Sequence, residues 1–337
     1  MKYAALWLAV ACSWGTAQAG VDRAAFIELS TKVLKVEVSR EQGGYSLGSG
    51  VLVAPQRLLT NCHVTRDAHQ IHAYQYGVQL QAVAQISDVR RDLCLLIVPG
   101  LTGDGVVLGS STSIGEGQSV SAIGYTGGMG IQNSSGEVVV LHPFDGGRVI
   151  QSTNWFTSGA SGGGLFDDDL RLVGILTFRL RGGEAHYFSA PAAWIKDLLA
   201  RQADAREIAS IPATELAYWQ QPLTQQPRFL QAAVLERDSR WDDLEHLASG
   251  WTAMHEHESE PWYLRGLALQ KLNRLTDARD ALERSVNIAP TLALAWHRLG
   301  LVYSGLGMTA QAQSVQRRLR QLNPDLALQL AKSLLPN

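Results

Sequence analysis

Three short segments carry side chains of the types that nucleophilic chemistry uses. Thr60-Asn61-Cys62-His63-Val64 ends a strand-like run, Arg91-Asp92-Leu93-Cys94-Leu95-Leu96 begins another, and Gly159-Ala160-Ser161-Gly162-Gly163-Gly164 sets a serine among glycines. A serine hydroxyl is a weak nucleophile until a neighbouring base takes its proton, and a third group must orient that base. Histidine, aspartate and serine supply those types, in that order along the chain. Singly, each has an ordinary reading: a strand-end histidine, a turn aspartate, one more member of a Gly/Ser loop. Asp88 is the other acid nearby, but no apolar strand follows it directly, so Asp92 is preferred. His69, His72, His142 and His186 fall at no metal-ligand spacing with cysteine and read as surface or structural residues. No metal and no other cofactor is expected.

The elements around these residues are short and strand-like. Val33 to Val38 alternates as a half-buried strand does. Gly48-Ser49-Gly50-Val51-Leu52-Val53, a turn at Ala54-Pro55-Gln56 and then Leu58 to Asn61 read as a hairpin. Further strand-like runs occupy 79–86, 93–98, 119–124, 137–141, 148–152 and 171–178, separated by glycine-rich turns. Many short strands at such spacing suggest a sandwich or barrels. Ala192 to Arg201 reads as one helix, and 204–225 as a linker with Pro212, Pro222 and paired glutamines.

Beyond the linker the period becomes helical and the chain repeats itself. Trp262, Gly266, Ala278 and Pro290 recur as Trp296, Gly300, Ala312 and Pro324, each pair 34 residues apart. That period is the tetratricopeptide repeat, a helix–turn–helix unit. Gly and Ala let its two helices approach closely, and the proline stops the second. Phe229 to Glu258 resembles a degraded copy whose second helix opens at Trp241, and Asp325 to Leu335 reads as a capping helix.

The three chemical motifs together resemble the chymotrypsin-fold (trypsin-like) serine peptidases, and their HtrA-like branch more closely, over about residues 30–200. Gly48-Ser49-Gly50-Val51 with Thr60-Asn61-Cys62-His63-Val64, Asp92-Leu93-Cys94-Leu95 and the Ser161 loop carry the resemblance. Leu108-Gly109-Ser110, Ile114-Gly115-Glu116-Gly117, Ala122-Ile123-Gly124, Leu172-Val173-Gly174-Ile175 and Tyr187-Phe188-Ser189-Ala190-Pro191 extend it. It implies a multi-domain chain: an all-β double six-stranded barrel over 20–203, a linker over 204–225, and helical repeats with a capping helix over 226–337. It also implies His63, Asp92 and Ser161 as the catalytic triad, with the amides of Gly159 and Ser161 as the oxyanion hole. The wall of the substrate pocket falls to Trp155 and Phe156 and to Leu176 on the strand after the serine; none is acidic, so an uncharged residue before the scissile bond is expected. Ala160 stands where digestive members have the aspartate used in zymogen activation. Tetratricopeptide repeats stand where the branch usually has a PDZ module. If His63 and Asp92 meet, Cys62 and Cys94 must lie close, and they either form a disulfide or stay as buried thiols.

Composition sets outer bounds. The 337 residues are 46% apolar and 18% charged with a formal net charge of −2, an ordinary globular balance without a basic block, so no nucleic-acid partner is suggested. Lys2, an apolar run from Tyr3 to Ala11 and Ala17-Gln18-Ala19 before Gly20 match a secretory signal over 1–19, cleaved after Ala19. A periplasmic or secreted protein follows, with no membrane span. The expected activity is that of a serine endopeptidase on protein or peptide substrates, with a partner or substrate segment recognised at the repeats. An esterase and a catalytically silent scaffold are the alternatives.

Overall fold

The computed structural model describes residues 23–110, 113–127, 130–180 and 186–334. The leader expected over 1–19 lies outside the described residues, as does Leu335 at the end of the expected capping helix.

Helix α1 (Arg23–Ser30) leads into an antiparallel sheet built from β1 (Val33–Arg40), β2 (Tyr45–Ala54) and β3 (Arg57–Thr60), then, after the one-turn helix α2 (Cys62–Thr65), from β4 (Ala68–Gln75), β5 (Val78–Gln81), β6 (Ala84–Asp88) and β7 (Leu93–Ile97). The strands lie in the order β6-β7-β3-β2-β1-β4-β5. The first unit of the expected double barrel is therefore a half-barrel, one sheet whose two ends do not pair. Its two edges are nevertheless halves of one stretch of chain. The run read as a single strand over 79–86 breaks at Ala82-Val83, where the Ala82 amide donates to Ile71 O (2.9 Å) and the Val83 amide to Ile97 O (2.9 Å). The first half pairs with β4 and the second with β7. Val33, Val36, Val38, Leu58 and Leu95 of this sheet are fully buried.

The second unit closes. It comprises β8 (Ser119–Tyr125), β9 (Ile131–Phe144), β10 (Gly147–Ser152), β11 (Gly164–Phe166), β12 (Leu172–Leu180) and β13 (His186–Pro191), in the cyclic order β10-β13-β12-β11-β8-β9. Asp145 and Gly146 turn β9 into β10 with φ of 47° and 75°, the two successive left-handed residues that a tight hairpin favours. Helix α3 (Ala192–Ala200) buries Trp194, Ile195 and Leu198 in the core shared by both units.

The segment read as a linker is seated on the first unit. Its β14 (Arg206–Glu207) pairs with β6 and becomes the eighth strand of the open sheet. The Ile211 amide donates to Arg66 O (2.7 Å), and the Arg66 guanidinium donates to Pro212 O (3.1 Å) and Glu215 O (2.7 Å).

The helical part contains α4 (Arg228–Arg237), α5 (Trp241–Met254), α6 (Ser259–Lys271), α7 (Leu275–Ile288), α8 (Ala293–Gly305), α9 (Thr309–Leu322) and α10 (Pro324–Ser333). The repeated tryptophans do the same work in each copy. The Trp262 indole donates to Glu256 O and the Trp296 indole to Pro290 O, both at 3.0 Å and both six residues back. A Cβ on Gly266 would meet Leu282 Cγ at 2.5 Å, and one on Gly300 would run into Leu330, so both positions require glycine for close helix packing. Pro324 opens α10 beneath an Asn323 cap that accepts from the Leu326 amide (3.0 Å).

Candidate active site

His63 sits on α2, immediately after β3, and Asp92 sits in the turn between β6 and β7. Because β3 and β7 pair, with Thr60 opposite Cys94, the two residues emerge side by side. The His63 amide donates to Asp92 Oδ1 (2.8 Å), and His63 Nδ1 faces Asp92 Oδ2 at 2.6 Å. Asp92 is 1% exposed with φ of 59°. An aspartate tolerates that left-handed backbone better than most residues, and neighbours hold it there: its carbonyl accepts from the Asn61 side chain (2.9 Å) and from the Cys62 amide (3.3 Å). Such strain is characteristic of functional positions. Asp88 turns instead toward Arg91 and Arg201, at 3.8 and 3.4 Å.

Cys62 and Cys94 are joined in a disulfide, with Cα atoms 4.9 Å apart, and Ile211 packs beside it. Arg91 ties the Asp92 turn to the second unit, bonding Asp145 Oδ2 through Nε (2.8 Å) and Asp197 Oδ2 through Nη1 (2.9 Å).

Ser161 lies between β10 and β11, and the first unit positions its loop. The Ser49 hydroxyl donates to Gly159 O (2.8 Å) and accepts from the Tyr125 amide (2.8 Å), while the Ser49 amide donates to Ser161 O (2.8 Å). The flanking Gly48 is needed because a Cβ there would meet Val64 Cγ1 at 2.5 Å and Ser161 O at 3.3 Å. Gly159 has φ of 97° and Gly162 of 86°, both outside the range open to other residues. Among the described residues, neither the Gly159 nor the Ser161 amide meets a backbone acceptor. The Ser161 hydroxyl donates to Thr177 O at 3.4 Å.

Trp155, Phe156 and Leu176 line one cavity of about 160 Å³, with Ala122, Gly124 and Ala160 among the other lining residues and no charged side chain. Trp155 is 52% exposed at its mouth. Phe156 is buried and packs against Tyr187, ring centroids 5.1 Å apart.

Sequence reasoning missed Trp219. Its indole donates to Asp92 Oδ2 (3.0 Å), its ring meets the His63 ring edge-on at 5.5 Å, and it stacks on Phe178 at 4.7 Å. The Pro- and Gln-rich composition around it gave no periodic signal. Its best clue was two adjacent aromatics, Tyr218-Trp219, in an otherwise polar stretch. Sequence reasoning also missed the second cavity, of about 660 Å³, between β9 and the repeats. Glu116, His142, Glu260, His297 and Arg298 are among its lining residues.

The trypsin-like peptidase domain family matches residues 48–175, and the tetratricopeptide repeat family matches 259–292 and 293–326. A "Probable periplasmic serine endoprotease DegP-like" of Pseudomonas putida (strain W619) is 34% identical over 147 residues, which is 40% of this chain and 30% of that protein. Its namesake in Halomonas elongata is 30% identical over 141 residues, 39% of this chain and 29% of that protein. The chain thus spans less than a third of the length of these relatives. Among solved structures, the Rv3671c protease from M. tuberculosis, in its active form, superposes with a TM-score of 0.50 at 21% identity, over 59% of this chain and 92% of that one; this is a likeness of fold. Among the described residues, no helix is long and apolar enough to cross a membrane.

Proposed function

Starting from a chain that joins a trypsin-like peptidase domain of HtrA-like kind to tetratricopeptide repeats, we propose that it is an exported serine endopeptidase acting through His63, Asp92 and Ser161. The observation that carries this reading is the 2.6 Å approach of His63 Nδ1 to Asp92 Oδ2, beside a Ser161 loop clamped by Ser49. The carboxylate fixes the imidazole tautomer, leaving Nε2 unprotonated for use as a base.

The Ser161 hydroxyl leaves Thr177 O and gives its proton to His63 Nε2 as its oxygen bonds to the substrate carbonyl carbon. The carbonyl π pair moves onto oxygen, where the Gly159 and Ser161 amides receive it. Collapse of that intermediate breaks the C–N bond, and His63 returns the proton to the leaving amine. Water, deprotonated by the same imidazole, then releases the acyl group and restores Ser161. Each bond formed is matched by one broken, and the protons that His63 takes it returns, so the cycle balances without a change of oxidation state.

The mature chain would start at Gly20 and work in the periplasm or outside the cell. Names of the relatives and the Cys62–Cys94 disulfide support that placement. The repeats are assigned to binding a protein partner or substrate segment. Repeat helices stack into surfaces suited to peptides, and here they frame the cavity of about 660 Å³ beside the barrel.

Ser161→Ala tests the assignment. A fluorophosphonate probe should label the wild type at Ser161, and the variant should lose labelling and peptide hydrolysis while staying folded. A variant that cleaves at the wild-type rate removes Ser161 as nucleophile. The Ser161–Thr177 hydrogen bond favours one rival, a catalytically silent scaffold. That rival requires an unlabelled wild type.

A further inference from the structure

Asp92 is held by a side chain outside all three motifs, and we infer that Trp219 is a positioning residue for the Asp92–His63 pair. This rests on the peptidase reading above. The buried carboxylate accepts three N–H groups: the His63 amide at Oδ1, and at Oδ2 both His63 Nδ1–H (2.6 Å) and the Trp219 indole (3.0 Å). An ionised carboxylate in a site closed to water is stable only when its lone pairs are met. An indole N–H suits this task, because it donates, carries no charge and offers no acceptor to compete for the histidine proton.

The tryptophan is itself fixed. Its ring stacks on Phe178 (4.7 Å, 11° between planes), which stacks on Phe188 (4.8 Å, 10°). The preceding Tyr218 amide donates to Arg90 O (3.0 Å), two residues before the acid, and Gln226 Nε2 donates to Trp219 O (3.0 Å). The segment between barrel and repeats thus grips the acid-bearing turn by backbone and side chain together. Trp219 is not among the residues lining the cavity of Trp155 and Phe156. Its loss should therefore lower turnover rather than weaken substrate binding.

The test compares the full chain with its Trp219→Phe variant, which keeps a ring on Phe178 and removes the N–H. Two readings are taken: hydrolysis of a peptide anilide, and the low-field proton NMR signal of His63 Nδ1–H, assigned by its loss in His63→Ala. Removing one hydrogen bond to a charged group should lower kcat about ten- to a hundredfold with KM little changed. The low-field signal should broaden as the proton exchanges faster with water. A wild-type kcat, or an unchanged low-field signal, overturns the inference. If Trp219→Phe fails to fold, Asp92→Asn in a chain labelled with 15N-tryptophan replaces it. The Trp219 indole signal must then move, and a stationary signal overturns the inference. If Ser161→Ala retains full turnover, the peptidase reading fails, and the two NMR signals alone decide the role of Trp219.

Discussion

His142 on β9 and Glu260 on α6 meet across the boundary between barrel and repeats, Nδ1 to Oε1 at 2.7 Å. The imidazole is buried, reaches Gln151 through Nε2 (2.9 Å) and stacks on Phe229 at 4.3 Å. Burial alone would lower its pKa. The Glu260 carboxylate, the two hydrogen bonds and the charge of Glu116 outweigh burial and raise it above the ordinary 6.5. Glu116, crowded by protein on its inner side though open to solvent on its outer face, is raised to about 7, first by desolvation and then by the charge of Glu260; His142, the Leu141 amide and Arg148 oppose this.

Both shifts make the docked state hold protons more tightly than the unfolded one. Stability is then fully present below the unfolded values, near 4.5 for Glu116 and 6.5 for His142, and is lost as pH rises through the raised ones. Thermal unfolding followed from pH 4 to 9 should show the repeats seated most firmly on the acid side. Glu116→Gln should flatten the loss between about pH 4.5 and 7, and His142→Gln the loss above about 6.5. Parallel curves for variants and wild type would show that neither group governs docking.

The Ser161 loop depends on glycine at 159. A Cβ there would meet Tyr125 O at 2.6 Å, on a backbone with φ of 97°. Gly159→Ala should turn the peptide away from the oxyanion position proposed above, because the Tyr125 carbonyl leaves a Cβ no room. Loss of one such donor lowers kcat about 10²–10³-fold. Stopped-flow acylation with an activated ester reads this step directly.

How much of this was legible beforehand follows from how local each constraint is. His63 and Ser161 announce themselves because the residues that shape their backbone, Asn61 and Gly159 to Gly162, lie beside them in sequence. The repeats are legible because one packing arrangement recurs: Trp262 and Trp296 each cap a carbonyl six residues back. The missed features depend on distant partners. Trp219 meets Asp92 127 residues away, and β14 is a strand only because β6 offers an edge. Strand β4 escaped reading because a register shift at Ser39-Arg40 breaks its pairing with β1 and leaves both His69 and Gln70 exposed. The glycines around Ser49 were visible, but not that Ser49 clamps a loop 110 residues later.

The disulfide should matter more for stability than for chemistry. Cys62 and Cys94 close a loop with a sequence separation of 32 around the histidine and the acid. Removing such a link typically costs about 2–4 kcal/mol. Asn61, Arg91 and the β3–β7 pairing still hold His63 against Asp92 without it. The double variant Cys62→Ala/Cys94→Ala should therefore unfold several degrees lower yet keep most of its turnover at room temperature. Mass spectrometry of the unreduced wild type checks the premise, which two free thiols would refute.

Cleavage preference should follow the cavity beside Ser161. Its lining joins Leu176, Phe156 and Ala160 to the polar Gln132, Asn133 and Ser134, with Trp155 at the mouth and no carboxylate. A buried Arg or Lys without an acidic partner bears a desolvation cost that hydrophobic contact cannot offset. Uncharged side chains such as Val and Ala should therefore dominate before the scissile bond in a peptide library. Phe156 sets the depth, since it is buried and braced by Tyr187. Phe156→Ala should shift preference toward Leu and Phe, with kcat/KM for a Leu substrate rising relative to Val by about ten- to a hundredfold, the scale of one to two methylene groups in a pocket. The same variant should lose about 3–5 kcal/mol of stability, the usual cost of emptying a buried ring site, so the comparison belongs well below its unfolding midpoint. Dominant cleavage after Arg or Lys in the wild type would show that a different surface selects the substrate.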